Sequence, residues 1–185
     1  MSPVNSHFLF NALNSIEALS REAPARIPEL VRGLAEYLRH ALRSGEGEWA
    51  TVQQELDAVA SYLRVEKIRF EDQLHVELQI DDAARPVRVP RLLLQSLVQH
   101  AVQHGMATSA TPLGLRVRVC RSAGRLRIEV QDTGTRSAAG GGREILGEDL
   151  GTRLDQLYHP DEYRLVCGDT GGWASLAVDL PASDR

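Results

Sequence analysis

The chain has 185 residues, of which 43% are hydrophobic, and a formal net charge of −4 with a pI near 5.9. That is enough for one medium domain, or a small domain with an appendage, and the acidic balance lacks the basic footprint of a nucleic-acid binder. The two cysteines, Cys120 and Cys167, fall in no metal-ligand or paired-thiol spacing and suggest ordinary thiols in a reducing compartment. No apolar run reaches the roughly 18 residues of a membrane span, and the Phe8–Phe10 cluster is too short and too mixed for a signal peptide.

In chain order, residues 4–70 read as helical. "VNSHFLFNALNSI" (4–16) opens the first helix, with Phe8, Leu9, Leu13 and Ile16 available to anchor it and His7 left on a face. This helix begins where a longer one could arrive from upstream, so the chain is expected to be part of a longer protein. "REAPARIP" (21–28) breaks it from a second helix, whose stripe is Leu30, Val31, Leu34, Leu38, Ala41 and Leu42. "SGEGEWAT" (44–51) breaks the second from a third, with Thr51 and Glu55 as its start signal and Leu56, Val59, Leu63 and Phe70 as its stripe.

From residue 74 the period changes. "LHVELQI" alternates as a half-buried strand does. "VPRLLLQSLVQHAVQHG" (89–105) reads as a helix with Pro90 in its first turn and Gly105 at its end. "GLRVRVCR" (114–121) and "RLRIEVQD" (125–132) alternate around "SAG" as a hairpin. "TGTRSAAGGGREILGED" (133–149) is a Gly-rich loop, "LGTRLDQLY" a short helix, and "YRLVCGDTGGWASLAVDLP" a second hairpin turned at "GDTGG". The order is helices first, then β-α-β-β-loop-α-β-β. This is an α+β chain: a helical module over 1–72, then a sandwich over 73–185 with helices on one face of a mixed, mostly antiparallel sheet.

Six motifs, in order, resemble those of the LytS-type sensor histidine kinases. "HFLFNALNSI" resembles their phosphoacceptor motif, "LAEYLRHAL" the Leu-Arg-Tyr motif of the second helix, and "QQELDAVASYLRVEKIRFEDQL" the third helix and its exit. "VPRLLLQSLVQHAVQHGM" resembles the N-box helix of the GHKL (Bergerat-type) ATPase fold, "VQDTGT" its G1 box, and "RLDQLY" the segment after its G2 box. The resemblance implies that the helical module is a dimerisation and phosphotransfer unit and the sandwich a GHKL ATPase-like domain using ATP and Mg²⁺. It implies that His7 takes the γ-phosphoryl group and passes it to a response-regulator receiver domain. A neutral imidazole nitrogen is a competent nucleophile for that step near pH 7. Ser6 replaces the family's usual proline and remains a good residue for a helix N-terminus.

The resemblance further implies a homodimer formed through the helical module, and no nucleic-acid partner. It places the chain as the cytoplasmic portion of a bacterial inner-membrane sensor, attached through segments N-terminal to this chain.

The nucleotide positions depart from the family pattern. Gln99 and His100 stand where the N-box has Glu, a base or water-positioning group, and Asn, the magnesium ligand. Gln99 cannot take a proton, and His100 offers nitrogen at the metal position, where Mg²⁺ wants oxygen. His104 and the following Gly105 match the family. Asp132, which the resemblance assigns to the adenine amino group, and Gly134 match the G1 box, but Arg136 replaces its second glycine. Gly147 and Gly151 do not form a Gly-x-Gly pair, and Glu148 and Asp149 put negative charge where phosphates are expected.

His100 and His104 also share a helix face as zinc-binding histidines do, but without the glutamate of H-E-x-x-H or an evident third ligand. Trp49 and Trp173 are read as core or interface residues. Arg32, Arg39 and Arg43 are read as a solvated or dimer-flanking face, with Arg39 part of the Leu-Arg-Tyr motif. Cys120 and Cys167 are expected to be buried and inert. Three functions therefore stay open: an ATP-using histidine kinase core; a degenerate kinase acting as phosphatase, phosphotransfer carrier or docking scaffold; and a partner-binding module, against which the helical module argues.

Overall fold

The computed structural model describes residues 6–43, 47–109, 112–134 and 151–182. Helix α1, Ser6–Glu22, seats Phe8 and Ala12 in the core. A 3-10 turn at Pro24–Arg26 reverses the chain into α2, Ile27–Arg43. Strand β1, Trp49–Thr51, leads into α3, Val52–Phe70, whose N-cap is Thr51. The box partner of Thr51 is Gln54, not the Glu55 expected from sequence: Gln54 N–H donates to the Thr51 hydroxyl, and the Gln54 side chain accepts from Thr51 N–H at 2.9 Å.

Helix α3 is the central element, largely buried, with α2 on one side and the helix Leu93–Thr108 (α4) on another. It comes close to α2 at Gly33, where a Cβ would stand 3.1 Å from Val65 Cγ2. The expected α2 stripe is split in two. Leu30, Leu34, Tyr37 and Ala41 face the core, while Val31 and Leu42 are exposed, because at about 100° per residue Val31 and Leu42 fall more than a quarter-turn round the helix from the Leu30 line. Leu13 on α1 is likewise exposed; it lies opposite Phe8 and Ala12 on the helix circumference and does not anchor α1.

The sheet consists of β2 (Leu74–Ile80), β4 (Leu113–Ser122), β5 (Arg125–Asp132), β6 (Arg164–Thr170) and β7 (Trp173–Pro181), in the order β2-β4-β5-β7-β6. Among the described residues only the β2–β4 pair is parallel. The expected mixed, mostly antiparallel sheet is what the chain forms. Its one parallel crossover runs through α4, Leu93–Thr108, which packs on β4 and β5. Alternate residues of β4 and β5, such as Val117, Val119, Ile128 and Val130, are buried. The β4–β5 hairpin turns on Ala123 and Gly124, both at positive φ, as a two-residue hairpin requires.

The other sheet face is a charged ladder: Arg116 on Glu77 at 2.8 Å, Arg118 on Gln79 at 2.7 Å and Arg127 on Asp179 at 3.0 Å. The Arg116 guanidinium lies 4.4 Å from the centroid of Trp173. Cys120 has the outward parity of Arg116 and Arg118, and Cys167 lies on the edge strand β6; both are exposed and neither is in a disulfide, so the expected burial is corrected.

A second correction concerns α4. Pro90 lies not in its first turn but in β3, Arg88–Pro90, which pairs antiparallel with β1. Gly105 does not end the helix, which runs on to Thr108. Glycine is needed there because a Cβ would stand 2.5 Å from Leu113 Cδ1. Among the described residues, no helix is long and apolar enough to cross a membrane.

Candidate functional site

His7 is exposed in the first turn of α1, and the next residue, Phe8, is buried at 1% exposure. The adjacent pair thus holds the helix by one side chain and presents the other to solvent. The Asn11 amide, one turn on, lies along the edge of the imidazole, donating to Nδ1 at 3.2 Å. With the Asn11 amide donating to Nδ1 the ring proton sits on Nε2; turned to accept from Nδ1–H through its oxygen, the same amide holds the other neutral tautomer, in which the Nε2 lone pair is left open for attack.

Phe8 is wedged between two tyrosines. Its ring centroid lies 4.5 Å from that of Tyr37 on α2 and 5.0 Å from that of Tyr62 on α3. Below this wedge is a buried ionic group. Glu66, 2% exposed, pairs with Arg69, and Arg69 Nε donates to the Ser15 hydroxyl of α1 at 3.3 Å. Desolvation is the chief cause raising the Glu66 pKa, against the opposing Arg69 charge. Desolvation followed by the charge of Glu66 pushes the Tyr62 phenol far above its ordinary range.

A carboxyl group whose folded pKa is raised contributes stability that is fully present below its unfolded value and lost as pH rises through the folded one. Relative to wild type, Glu66→Gln is therefore expected to gain stability as pH increases from about 4 toward neutrality. Thermal melts of both proteins across that range check this; a constant difference would contradict it.

Helix α4 begins at Leu92, whose φ is +64°, and it has no cap from its own chain segment. The cap comes from α3. The buried Glu55 carboxylate accepts the Leu92 N–H at 2.7 Å and the Gln95 N–H at 3.4 Å, satisfying N–H groups that a helix start leaves open. Burial raises the Glu55 pKa, opposed first by these backbone N–H groups and then by Arg91. Glu55→Ala is expected to lose about 2 kcal/mol, the worth of charge-assisted hydrogen bonds in a buried place. Urea unfolding measures this, and a loss below about 0.5 kcal/mol would contradict the assignment.

Sequence reasoning missed Glu55 as a cap. Its signal was an acid next to Leu56 and Val59 in an otherwise apolar stretch. It also missed Tyr37, which continues the Leu30–Leu34–Ala41 spacing.

Along α4, Gln99 turns toward the helices: its Nε2 donates to the Tyr37 hydroxyl at 3.1 Å. The His100 and His104 rings stack at 5.8 Å with 17° between planes, and buried His104 Nδ1 has no hydrogen-bond partner among the described residues. One turn on, Thr108 packs with Gly105 beneath Gly134, where a Cβ would stand 2.7 Å from Gly105 Cα. Asp132 is wholly buried at the end of β5, and its Oδ1 accepts the Gly134 N–H at 3.1 Å. The structure thus brings Gly105, Thr108, Asp132 and Gly134 together at the C-terminal end of α4, with His104 a turn away.

His7 belongs to the separate α1 unit and connects to α4 through Phe8, Tyr37 and Gln99. Gly151 is buried within the helical residues 151–157. Arg136, Gly147, Glu148 and Asp149 lie outside the described residues. Arg153 donates to the Arg91 and Glu48 carbonyls at 2.9 and 2.7 Å. Beside it, Trp49 meets Tyr158 edge-on at 5.7 Å, and this contact fits the core reading of Trp49.

A buried carboxylate in a glycine-lined corner fits the exocyclic amine of an adenine ring. The metal half fits less well. Imidazole nitrogens are poor donors for Mg²⁺, which demands oxygen in octahedral geometry, and of the Gln99–His100 pair only the Gln99 amide oxygen meets that demand. No group of three or more His, Cys, Asp or Glu suited to a metal occurs among the described residues.

Residues 1–74 match the family model described as histidine kinase. Sensor histidine kinase YpdA of Escherichia coli is 35% identical over 133 residues, covering 72% of this chain and 23% of that protein. Sensor histidine kinase BtsS of the same species is 30% identical over 174 residues, covering 88% of this chain and 31% of that protein. Sensor protein LytS of Bacillus cereus is 33% identical over 131 residues, covering 71% and 22%. The chain thus spans about a quarter of the length of these curated relatives.

Among solved structures, the histidine kinase domain of the blue-light-activated histidine kinase EL346 of Erythrobacter litoralis superposes with a TM-score of 0.54 at 19% identity. It covers 99% of this chain and 91% of that one. Acinetobacter baumannii histidine kinase AdeS gives 0.55 at 14% identity, covering 98% and 87%. Residues 1–74 belong to the histidine kinase family, and the chain as a whole is similar to LytS-type sensor histidine kinases and has the fold of histidine kinase domains.

Proposed function

We propose that this chain is the signalling core of a two-component sensor in which His7 carries a phosphoryl group and exchanges it with a response-regulator aspartate. The observation that carries this reading is the His7–Phe8 pair: a solvent-facing imidazole fixed by an adjacent, fully buried ring, in the segment that matches the histidine kinase family. In the step proposed, a ring nitrogen lone pair attacks the phosphorus, an N–P bond forms, and the leaving oxygen departs with the bonding pair. Residues 1–72 act as the phosphotransfer and dimerisation unit and 73–185 as the ATPase-fold unit.

Phe10, Leu13, Val31 and Leu42, exposed on α1 and α2, support pairing of two copies through the helices. A neighbour in fold, histidine kinase ThkA, is seen in complex with the response regulator protein TrrA; by analogy, a receiver domain is the partner proposed here. The anchoring of such sensors at a membrane would come from segments outside this chain.

One observation favours a second reading of how the phosphoryl group arrives. Gln99 is engaged by Tyr37 and His100 stacks on His104, a donor set that supports weak Mg-ATP use. In that reading the chain is a degenerate kinase that acts as phosphatase, carrier or docking scaffold for the regulator. Calorimetric titration with Mg-ATP, followed by incubation with γ-labelled ATP and a His7→Gln control, separates the two. Micromolar binding with label lost in His7→Gln supports the kinase. No heat and no label supports the degenerate form. Label retained in His7→Gln would overturn the role of His7.

A further inference from the structure

The phosphoacceptor helix and α4 are far apart in sequence, yet they meet at one aromatic ring. Tyr37 has no solvent exposure. One side of its ring receives Phe8, at 4.5 Å between centroids and tilted by 57°. Its hydroxyl receives the Gln99 Nε2 amide at 3.1 Å, across 62 positions of sequence. Gln99 is only half-buried, so this bond is not imposed by close packing on every side, and the amide could turn to solvent at small cost. Next along α4 comes His100, stacked on His104.

We propose that Tyr37 is a positioning residue coupling the two halves of the site: its hydroxyl holds the Gln99 side chain only while Phe8 is seated against its ring. The physical reason is the stiffness of a packed interior. Interlocked aromatic rings have few rotamers and little free volume, so a shift of α1 that withdraws Phe8 leaves the Tyr37 ring unsupported on that side. The side chain then tilts about χ1 into the vacated space, which carries the hydroxyl with it, and the 3.1 Å hydrogen bond has little tolerance before it breaks. Gln99 is thereby released or retained according to where α1 lies. The neighbouring ionic group reinforces the arrangement, since Arg69 ties α1 to α3 through Ser15 and keeps the displacement of Phe8 from being random.

The significance of this coupling rests on the proposed function, in which His7 is loaded and α4 borders the nucleotide. Its existence does not, so the two are tested separately. The readout is the side-chain amide signal of Gln99 in a nitrogen–proton NMR spectrum, identified by its loss in Gln99→Leu. It is recorded in wild type, Phe8→Leu, Tyr37→Phe and the double variant, each checked for folding by its melt. Phe8→Met replaces Phe8→Leu if the latter does not fold.

The expected result is that Phe8→Leu shifts the Gln99 amide signal when Tyr37 is intact and leaves it in place when combined with Tyr37→Phe. Tyr37→Phe alone moves it toward the solvent-exposed position. An unmoved signal in Phe8→Leu overturns the proposal, as does an equal shift with and without the hydroxyl. A purely structural role for Tyr37 would give equal shifts. Failure of His7 to take a phosphoryl group would overturn the proposed function and not this coupling.

Discussion

Phe8→Ala is expected to destabilise the protein by about 3–5 kcal/mol, lowering Tm by roughly 6–20 °C for a chain of this size. The ring is 1% exposed and contacts both Tyr37 and Tyr62, so its removal opens a cavity bounded by two rigid rings that cannot collapse into it. The loss is concentrated on α1, because Phe8 and Ala12 are the residues this helix buries. Hydrogen exchange should accordingly show α1 losing protection well before the sheet. His7 would then sit on a frayed helix, and phosphoryl loading should fall along with stability. Phe8→Leu should cost much less, since it refills most of the space. A loss below about 1 kcal/mol for Phe8→Ala would mean that α1 is held by something else.

The second large effect concerns the metal. Changing Gln99 to Glu and His100 to Asn together is expected to raise Mg-ATP affinity by about 100-fold over the wild type. Outer partners of metal ligands alone are worth roughly 10–100-fold, and this change restores an oxygen ligand and a carboxylate at once. The gain should vanish when magnesium is chelated, because ADP or ATP without the metal would still rely on Asp132 and the Gly134 corner. Equal Mg-ATP affinity in the two proteins would show that His100 does not occupy the metal position and would remove the main support for the degenerate reading.

The elements were largely legible because each carries its own period. The alternation of Val117, Val119, Ile128 and Val130 is a strand pattern with one possible inner face, and the structure buries those residues. What could not be read were contacts made between elements. The β1–β3 ribbon is three residues long on each side, too short for a period, and it drew Pro90 out of the helix to which its spacing pointed. Glu55 looked like part of the start of its own helix, while its partners are the N–H groups of α4, as far as 40 positions away.

The cysteines were misplaced for a related reason. A strand supplies parity, but Cys120 lies on the sheet face that the described helices leave open, and Cys167, opposite buried Leu176, lies on the edge strand. Within the site, residue identities were readable one by one at Asp132, Gly134, Gln99 and His100. The link from Phe8 through Tyr37 to Gln99 was not, since no local pattern marks a tyrosine as a bridge.

The most direct test of the central claim bypasses ATP. The chain is loaded with phosphoramidate, which phosphorylates accessible histidines chemically, and a receiver domain is then added with magnesium. Mass spectrometry follows the phosphoryl group at His7 and at the exposed His75 and His159. The expected result is that His7 is loaded and that the receiver then unloads His7 while His75 and His159 keep their label. If His7 stays loaded, or empties no faster than the other two, it is not the residue through which this protein exchanges phosphoryl groups.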